Sequence, residues 1–105
     1  MPEEFVKVAT VEQLLPEKLT GVKIRDKEIC LINTGKSIVA LSAVCTHAGC
    51  PFPEYGEVDG DELECECHGS RFMLATGSVS NGPARLPLKR FEVKIEGHDI
   101  LVSVS

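Results

Sequence analysis

Residues 45–50 read CTHAGC, and residues 64–70 read ECECHGS. Each stretch places a histidine two or three positions after a cysteine, and 17 residues lie between the two cysteine–histidine pairs. The candidate ligands are Cys45, His47, Cys65 and His68. Thiolates and imidazoles paired in this way are typical metal ligands. The Asp59-Gly60 dipeptide predicts a tight hairpin turn that would bring the two stretches side by side.

Two kinds of metal centre fit two cysteines and two histidines. A tetrahedral zinc site is one interpretation. Zinc modules generally take two like ligands from one turn, however, whereas here each stretch supplies one cysteine and one histidine. A two-iron cluster, in which one iron takes both cysteines and the other both histidines, suits mixed pairs better. The spacing therefore favours iron–sulfur and leaves zinc as the alternative.

The composition indicates one globular domain with one site. The chain has 105 residues, of which 43% are apolar and 26% charged, and its formal charge is -5. Because this length supports a single modest core, we assign residues 1–105 to one domain. The negative charge disfavours nucleic acid and anionic membranes as partners and favours a basic protein surface.

The sequence contains no candidate membrane span. No stretch approaches ~18 apolar residues, and the opening MPEEFVKV lacks the cationic and apolar parts of a signal peptide. We therefore expect the cytoplasm. In that compartment cysteines are more often ligands or catalysts than disulfides.

The flanking segments predict β-strands. Residues 21–42 alternate or cluster β-branched residues between turn signals, which indicates three strands in a meander. Residues 91–104 predict a hairpin whose first strand contains Phe91 and which bends at Gly97-His98. Together the two segments favour an antiparallel all-β fold.

The chemistry lies between these segments, in about residues 43–87. This stretch holds four of the five cysteines and two of the three histidines, with no linker or repeat. We interpret it as a ligand-binding loop subdomain inserted in one domain. The remaining cysteine, Cys30, lies in an apolar run and is predicted to be buried, whereas His98 is predicted to be an exposed turn residue.

The two stretches CTHAGC (residues 45–50) and ECECHGS (residues 64–70), hereafter the two boxes, resemble the cluster-binding boxes of Rieske [2Fe-2S] proteins. The residues after the second box resemble those of Rieske-type ferredoxins. The likeness covers about residues 35–105. It implies an antiparallel β-sandwich with a cluster-binding loop subdomain, and one [2Fe-2S] cluster. In that family pattern the cysteines Cys45 and Cys65 bind one iron. The histidines His47 and His68 bind the other.

The resemblance also implies roles for residues around the boxes. The boxes resemble most those of the high-potential branch of the family, the Rieske proteins of the respiratory and photosynthetic cytochrome b complexes, in which a pair matching Cys50 and Cys67 forms a disulfide. A reducing compartment argues instead for two free thiols. Ser70 matches a hydroxyl that donates to a cluster sulfur in that branch. Phe72 replaces that branch's tyrosine donor, which predicts a potential below that of the respiratory Rieske proteins and above that of ferredoxins that lack both donors. Pro83 matches the Pro loop that shields the cluster.

The function implied by the resemblance is one-electron transfer. With all four protein ligand positions filled, the cluster has no open site for substrate, so we assign no catalytic residue. The carrier would pass electrons from a reductase to a terminal oxygenase or a related enzyme. Residues 54–66 carry seven acidic groups and no lysine or arginine, which predicts a modestly lower potential and a basic docking partner. The alternatives are a small subunit of a nitrite reductase-type complex and, in a different class, a zinc-stabilised interaction module.

Overall fold

The structure of the protein, a computed structural model, describes residues 4–46 and 49–103. The strands are β1 (Phe5–Thr10), β2 (Leu19–Ile24), β3 (Lys27–Asn33), β4 (Ile38–Ser42), β5 (Gly56–Asp59), β6 (Glu62–Cys65), β7 (Arg71–Met73), β8 (Val79–Asn81), β9 (Arg90–Phe91), β10 (Val93–Glu96) and β11 (Asp99–Ser103). The helical segments are a 3-10 turn at Val11–Gln13 and the one-turn α1 at Phe52–Tyr55. Within residues 4–46 and 49–103, no helix is long and apolar enough to cross a membrane.

The strands form three antiparallel sheets in the described part of the chain. Their strand orders are β1-β11-β10, β2-β3-β4-β9 and β5-β6-β7-β8. The all-β, antiparallel architecture predicted from the sequence is confirmed. The third sheet lies wholly within residues 43–87, the stretch predicted to carry the chemistry.

Strand β3 is the central layer between two cores. Ile29 and Leu31 pack in one cluster with residues of β1 and β11, whereas Cys30 and Ile32 pack in a second cluster with Phe72 of β7. These four consecutive β3 side chains are all 0% exposed. Because strand side chains alternate between faces, such an apolar run is what a strand covered on both sides requires. The site-bearing sheet therefore shares a core with the meander.

The predicted meander is confirmed. Strands β2, β3 and β4 pair antiparallel in sequence, with Ile24 opposite Lys27 at the first turn and Asn33 opposite Ile38 at the second. The Asn33 Oδ1 atom accepts a hydrogen bond from the Gly35 N–H at 2.8 Å. An asparagine side chain that satisfies the backbone in this way stabilises a tight turn.

The turn between the two ligand stretches is also confirmed. Strands β5 and β6 pair with Asp59 opposite Glu62, and Gly60 has a φ of 61°. Glycine is favoured there because side chains are strained in the left-handed region. This hairpin leads β6 directly into Cys65.

The C-terminal hairpin forms as predicted, apart from its first residue. Strands β10 and β11 pair, and Gly97 at the bend has a φ of 62°. Phe91 was predicted to continue into β10, and this is wrong: it lies in β9 and pairs with Ala40 of β4 in the middle sheet. The chain changes sheet at Glu92, and a period-2 pattern specifies a face of a strand but not the sheet to which the strand belongs. Residue 104 lies outside the described residues.

Candidate metal centre

Backbone hydrogen bonds join the two described ends of the first ligand stretch, residues 45–50, hereafter the first loop. The Cys45 N–H donates to the Cys50 carbonyl at 2.9 Å, and the Gly49 N–H donates back to the Cys45 carbonyl at 2.9 Å. Gly49 has a φ of 75°, a conformation that explains glycine at the fifth position of the loop. Cys45 thus begins a loop closed by its own backbone hydrogen bonds.

The second ligand stretch, hereafter the second loop, residues 65–70, repeats this pattern. The Cys65 N–H donates to the Ser70 carbonyl at 2.8 Å, and the Gly69 N–H donates to the Cys65 carbonyl at 2.8 Å. Gly69 has a φ of 79°. The two loops therefore share the same hydrogen bonds and the same glycine position, and each places a cysteine first.

A disulfide joins the two loops. The Cys50 and Cys67 sulfurs are bonded, with their Cα atoms 6.7 Å apart and a sequence separation of 17. This is the pairing that the resemblance implied. The bond connects the last residue of the first loop to the third residue of the second, so the two loops are held together without help from a metal.

The two leading cysteines keep their thiols. Cys45 and Cys65 are free, and their side chains are 2% and 1% exposed. Burial raises the pKa of the Cys65 thiol, and the neighbouring Cys45 sulfur raises it further against two backbone hydrogen bonds that lower it. A buried thiol with a raised pKa costs free energy to ionise unless a cation neutralises it, and metal binding supplies that cation.

The histidines are described only in part. His68 lies in the second loop and is exposed to solvent. His47, the other predicted histidine ligand, lies outside the described residues. Of the four predicted ligands, the structure therefore places two thiols and one imidazole on the paired loops.

Three sulfur atoms cluster where the loops meet. Those of Cys50, Cys65 and Cys67 lie within 4.8 Å of one another. Because the first and last of these are bonded together, only Cys65 retains a thiol able to bind a metal. This group of sulfur atoms therefore marks the contact between the disulfide and Cys65, a predicted ligand, and not a three-cysteine site.

Ser70 connects the second loop to the segment that contains Pro83. Its side chain is fully buried, and its Oγ accepts a hydrogen bond from the Ala84 N–H at 3.0 Å. Ala84 is buried, whereas Pro83, which follows a cis peptide bond, is exposed. Because the Oγ acts as acceptor here, the hydroxyl hydrogen can be donated elsewhere. The sequence did not reveal Ala84 as the residue that ties this segment to the second loop.

Phe72 is a core residue beneath the loops. Its ring is 0% exposed and packs edge-on against Phe52, with ring centroids 5.8 Å apart and an interplanar angle of 88°. Edge-to-face contacts of this kind are favourable beyond the buried area. Phe72 supplies no hydroxyl at this position.

The acidic hairpin contains an internal counter-charge that the sequence did not reveal. Arg71 of β7 lies 2.7 Å from Asp59, 2.6 Å from Glu62 and 3.8 Å from Glu64, measured between nitrogen and oxygen atoms. The Asp59 and Glu62 carboxylates raise the pKa of the Arg71 guanidinium. Three of the seven acidic groups are therefore partly neutralised.

These observations define an all-β protein with a candidate metal centre on two disulfide-linked loops, each of which begins with a buried free cysteine. The sequence model of the Rieske [2Fe-2S] domain family matches residues 4–92. The chain belongs to this family. The buried thiol pair and the imidazole of His68 in the second loop fit the family's [2Fe-2S] cluster, since the donors are of the two types that a Rieske centre requires.

Two relatives come from different protein systems. The chain is 33% identical over 101 residues to the biphenyl dioxygenase ferredoxin subunit of Pseudomonas sp. strain KKS102, covering 96% of this chain and 93% of that one. It is 35% identical over 106 residues to the cytochrome b6-f complex iron-sulfur subunit of Chlorobaculum thiosulfatiphilum, covering 92% of this chain. The chain spans only 56% of that subunit's length.

Solved structures share the fold. The ferredoxin of carbazole 1,9a-dioxygenase from Nocardioides aromaticivorans IC177 matches with a TM-score of 0.87 and 33% identity, covering 93% of this chain and 95% of that one. A complex of reduced oxygenase and oxidized ferredoxin in carbazole 1,9a-dioxygenase matches with a TM-score of 0.87 and 28% identity, covering 94% and 92%. A putative NADH-dependent nitrite reductase small subunit from Mycobacterium tuberculosis, at 19% identity, covers 100% and 98% with a TM-score of 0.86 and demonstrates likeness of fold alone.

Proposed function

We propose that this protein is a one-electron carrier that holds a single [2Fe-2S] cluster through Cys45, Cys65, His47 and His68. The observation that carries the proposal is the pair of buried free thiols at equivalent positions of two disulfide-linked loops. A catalytic site needs an open coordination position, and a centre with four protein ligands has none. Electron transfer is the chemistry that such a closed centre supports.

The chain's own residues would tune and protect the centre. The cluster, when bound, supplies a reversible one-electron couple. Cys45 and Cys65 bind as thiolates held in a dry environment, and exposed His68 lies on the solvent side of the second loop. Ser70 has a hydroxyl hydrogen available for a cluster sulfur, a bond that stabilises the reduced state and raises the potential.

The proposed partners are a reductase that donates the electron and a terminal oxygenase that accepts it. Support comes from the biphenyl dioxygenase ferredoxin subunit, which this chain matches over nearly its whole length, and from the carbazole ferredoxin that forms a complex with its oxygenase. We propose a cytoplasmic location, because the relative that this chain matches over nearly its whole length is a ferredoxin subunit of a dioxygenase system and because Cys30, which is not a proposed ligand, keeps a free thiol.

Metal analysis combined with EPR tests this function. We expect two irons and two inorganic sulfides per chain, one electron taken up from dithionite, and nitrogen hyperfine coupling from the histidines in the reduced protein. His68→Ala should remove the coupling of one nitrogen ligand, whereas His98→Ala, at an exposed turn, should leave the spectrum unchanged. A spectrum typical of four cysteine ligands would contradict the ligand assignment.

The same experiments distinguish the alternatives. One zinc per chain and no visible colour would support the zinc-stabilised interaction module in place of a carrier. A subunit of a nitrite reductase-type complex would contain the iron–sulfur cluster but co-purify with its larger partner. A chain that is monodisperse, reducible and active as a freely diffusing electron donor would favour the oxygenase system.

A further inference from the structure

The second loop lies at the end of a short hairpin formed by β6 and β7. These strands pair at three positions, and the last pair sets Glu64 opposite Arg71. Cys65 follows the first of these residues in the chain, and Ser70 precedes the second. On its other side β7 pairs with β8, but the register shifts between Arg71 and Phe72. So few regular backbone pairs specify a strand register weakly, and side-chain contacts have to complete it.

The register of this hairpin decides where the Cys65 thiol points. Along β6 the side chains of Leu63 and Cys65 are buried, whereas Glu62 and Glu64, on the opposite face, are partly exposed. A slip of one residue would exchange the two faces and put a glutamate in the place of the thiol. Phe72, which is fully buried, specifies the inner face of β7.

Arg71 specifies the outer face of the hairpin. Its Nε donates to Glu62 Oε1 at 2.6 Å, and its Nη2 donates to Asp59 Oδ2 at 2.7 Å. Its Nη1 lies 3.8 Å from a carboxylate oxygen of Glu64. The guanidinium therefore connects β7 to both β5 and β6. Because the Arg71 side chain is only 25% exposed, solvent screens these ion pairs less than fully exposed ones.

The contacts of Arg71 depend on the shape of its side chain as well as on its charge. Three different nitrogen atoms of the guanidinium face the three carboxylates. A guanidinium presents its N–H donors in fixed directions, whereas a lysine ammonium is a compact charge on a flexible chain. Either residue would supply the charge, so a comparison of the two reports on geometry.

The first loop is supported in a different way. Its flanks are joined by an isolated bridge between Val44 and Pro51, and the Phe52 N–H donates to the Ala43 carbonyl at 2.7 Å. Inside, the two loops have the same pair of backbone hydrogen bonds. The first loop is therefore an internal reference for any change that is confined to the second.

We propose that Arg71 is a positioning residue for the cluster: its ion pairs fix the register of the β6–β7 hairpin and thereby hold Cys65 and the Ser70 hydroxyl in place. Arg71 acts through the second loop and is not itself a ligand. Without it, three acidic groups lose a shared counter-charge and the outer face no longer opposes a slip. The second loop should then open more often, while the first should not. The part of this inference that concerns the cluster rests on the proposed function.

Hydrogen–deuterium exchange followed by mass spectrometry tests the positioning in the oxidised protein as purified. Peptides from the second loop report the N–H groups of Cys65 and Gly69, and peptides from the first loop report those of Cys45 and Gly49. For Arg71→Gln we expect exchange of the second loop to be roughly three- to tenfold faster. Exchange of the first loop should stay within about twofold of the wild type. Unchanged exchange, or equal acceleration of both loops, would overturn the proposal.

Two further variants provide the controls. Arg25→Gln removes an arginine that pairs with a single carboxylate, that of Glu4, and should leave the exchange of both loops unchanged. Glu62→Gln removes the carboxylate nearest to Arg71 and should accelerate the second loop. The double variant Arg71→Gln, Glu62→Gln should exchange no faster than Arg71→Gln, because both changes break the same contact. Additive effects would contradict a joint role.

The midpoint potential separates positioning from charge. Arg71→Gln should lower it, because a displaced Ser70 hydroxyl and a lost positive charge both destabilise the reduced cluster. Arg71→Lys keeps the charge, and positioning predicts a potential closer to that of Arg71→Gln than to the wild type. A lysine variant with wild-type exchange and potential would overturn the role of the guanidinium. A wild-type protein that binds no cluster would overturn the proposed function, and the exchange comparison would still decide whether Arg71 positions the loop.

Discussion

Replacing Ser70 with alanine should lower both the stability of the protein and its midpoint potential. The Ser70 Oγ accepts the Ala84 N–H at 3.0 Å, Ser70 is 0% exposed and Ala84 is 4% exposed. Without the hydroxyl, the buried Ala84 N–H loses this acceptor, which costs about 1–3 kcal/mol. For a domain of this size we expect the apparent melting temperature to fall by at least about 4 °C.

The potential reports the other hydrogen bond of the same hydroxyl. If the Ser70 hydrogen is donated to a cluster sulfur, its loss destabilises the reduced state by about 1–3 kcal/mol. For a one-electron couple this corresponds to a midpoint lower by about 40–130 mV. The effects on stability and potential are separate because one arises from accepting a bond and the other from donating one.

Circular dichroism during heating of the oxidised holoprotein measures the first effect, and a spectroelectrochemical titration measures the second. Ser80→Ala, at an exposed position of β8, is the matched control and should change neither value. A Ser70→Ala protein that melts with the wild type would refute the stability argument. An unchanged potential with a lowered melting temperature would show that the hydroxyl hydrogen is directed away from the cluster.

Three further predictions concern stability. The double variant Cys50→Ser, Cys67→Ser should lose about 3 kcal/mol of unfolding free energy, from the 17-residue loop that the disulfide closes; guanidinium unfolding with an unshifted midpoint would contradict this. Gly77→Ala would put a Cβ 2.4 Å from the Leu88 carbonyl oxygen at a φ of 81°, whereas at Gly35, with a φ of 90°, an added Cβ would have no atom within 4 Å. Gly77→Ala should therefore have a much lower melting temperature than Gly35→Ala, and equal melting temperatures would refute the steric argument. Burial raises the pKa of the Cys30 thiol from 9.0 to about 12, so the thiol ionises first in the unfolded state and the free energy of unfolding falls between pH 9 and pH 12. Over that range the free energy of unfolding of the wild type should fall more steeply than that of Cys30→Val, by about 1.4 kcal/mol per pH unit, and parallel curves would count against this reasoning.

The sequence predicted the features that depend on residues close together in the chain. The paired loops were predictable because each ligand set occupies six consecutive residues, and the hairpin between them follows from Asp59-Gly60. The meander was predictable for the same reason, since its turns lie between neighbouring strands. Local spacing and turn chemistry carry this information directly.

Contacts across the sheets were not predictable in the same way. The Thr46–Leu86 bond spans 40 positions, and the Ser70–Ala84 bond spans 14. The position of Arg71 among acidic groups follows from the register of β6 with β7, in which it stands opposite Glu64. Strand register in three dimensions decides these contacts, and a one-residue slip would place each side chain on the other face. Residues 54–66 contain acidic residues and no lysine or arginine, so the sequence indicates no neutralising charge. In the structure Arg71 lies next to three of these acidic groups.

The same physical reasoning accounts for why this small domain can hold a precise metal centre. Cys45 and Cys65, the proposed ligand cysteines, begin loops that are closed by backbone hydrogen bonds, linked by the disulfide and supported by Phe72 and Phe52 in the core. None of these constraints requires a bound metal, so the thiols are positioned before a cluster arrives. Preorganised ligands lose little conformational entropy on binding, and a rigid surround limits the movement that accompanies each change of oxidation state. It follows that opening the disulfide should weaken cluster retention even where the β-sheets remain folded, because the two loops would then be joined only through the sheet behind them.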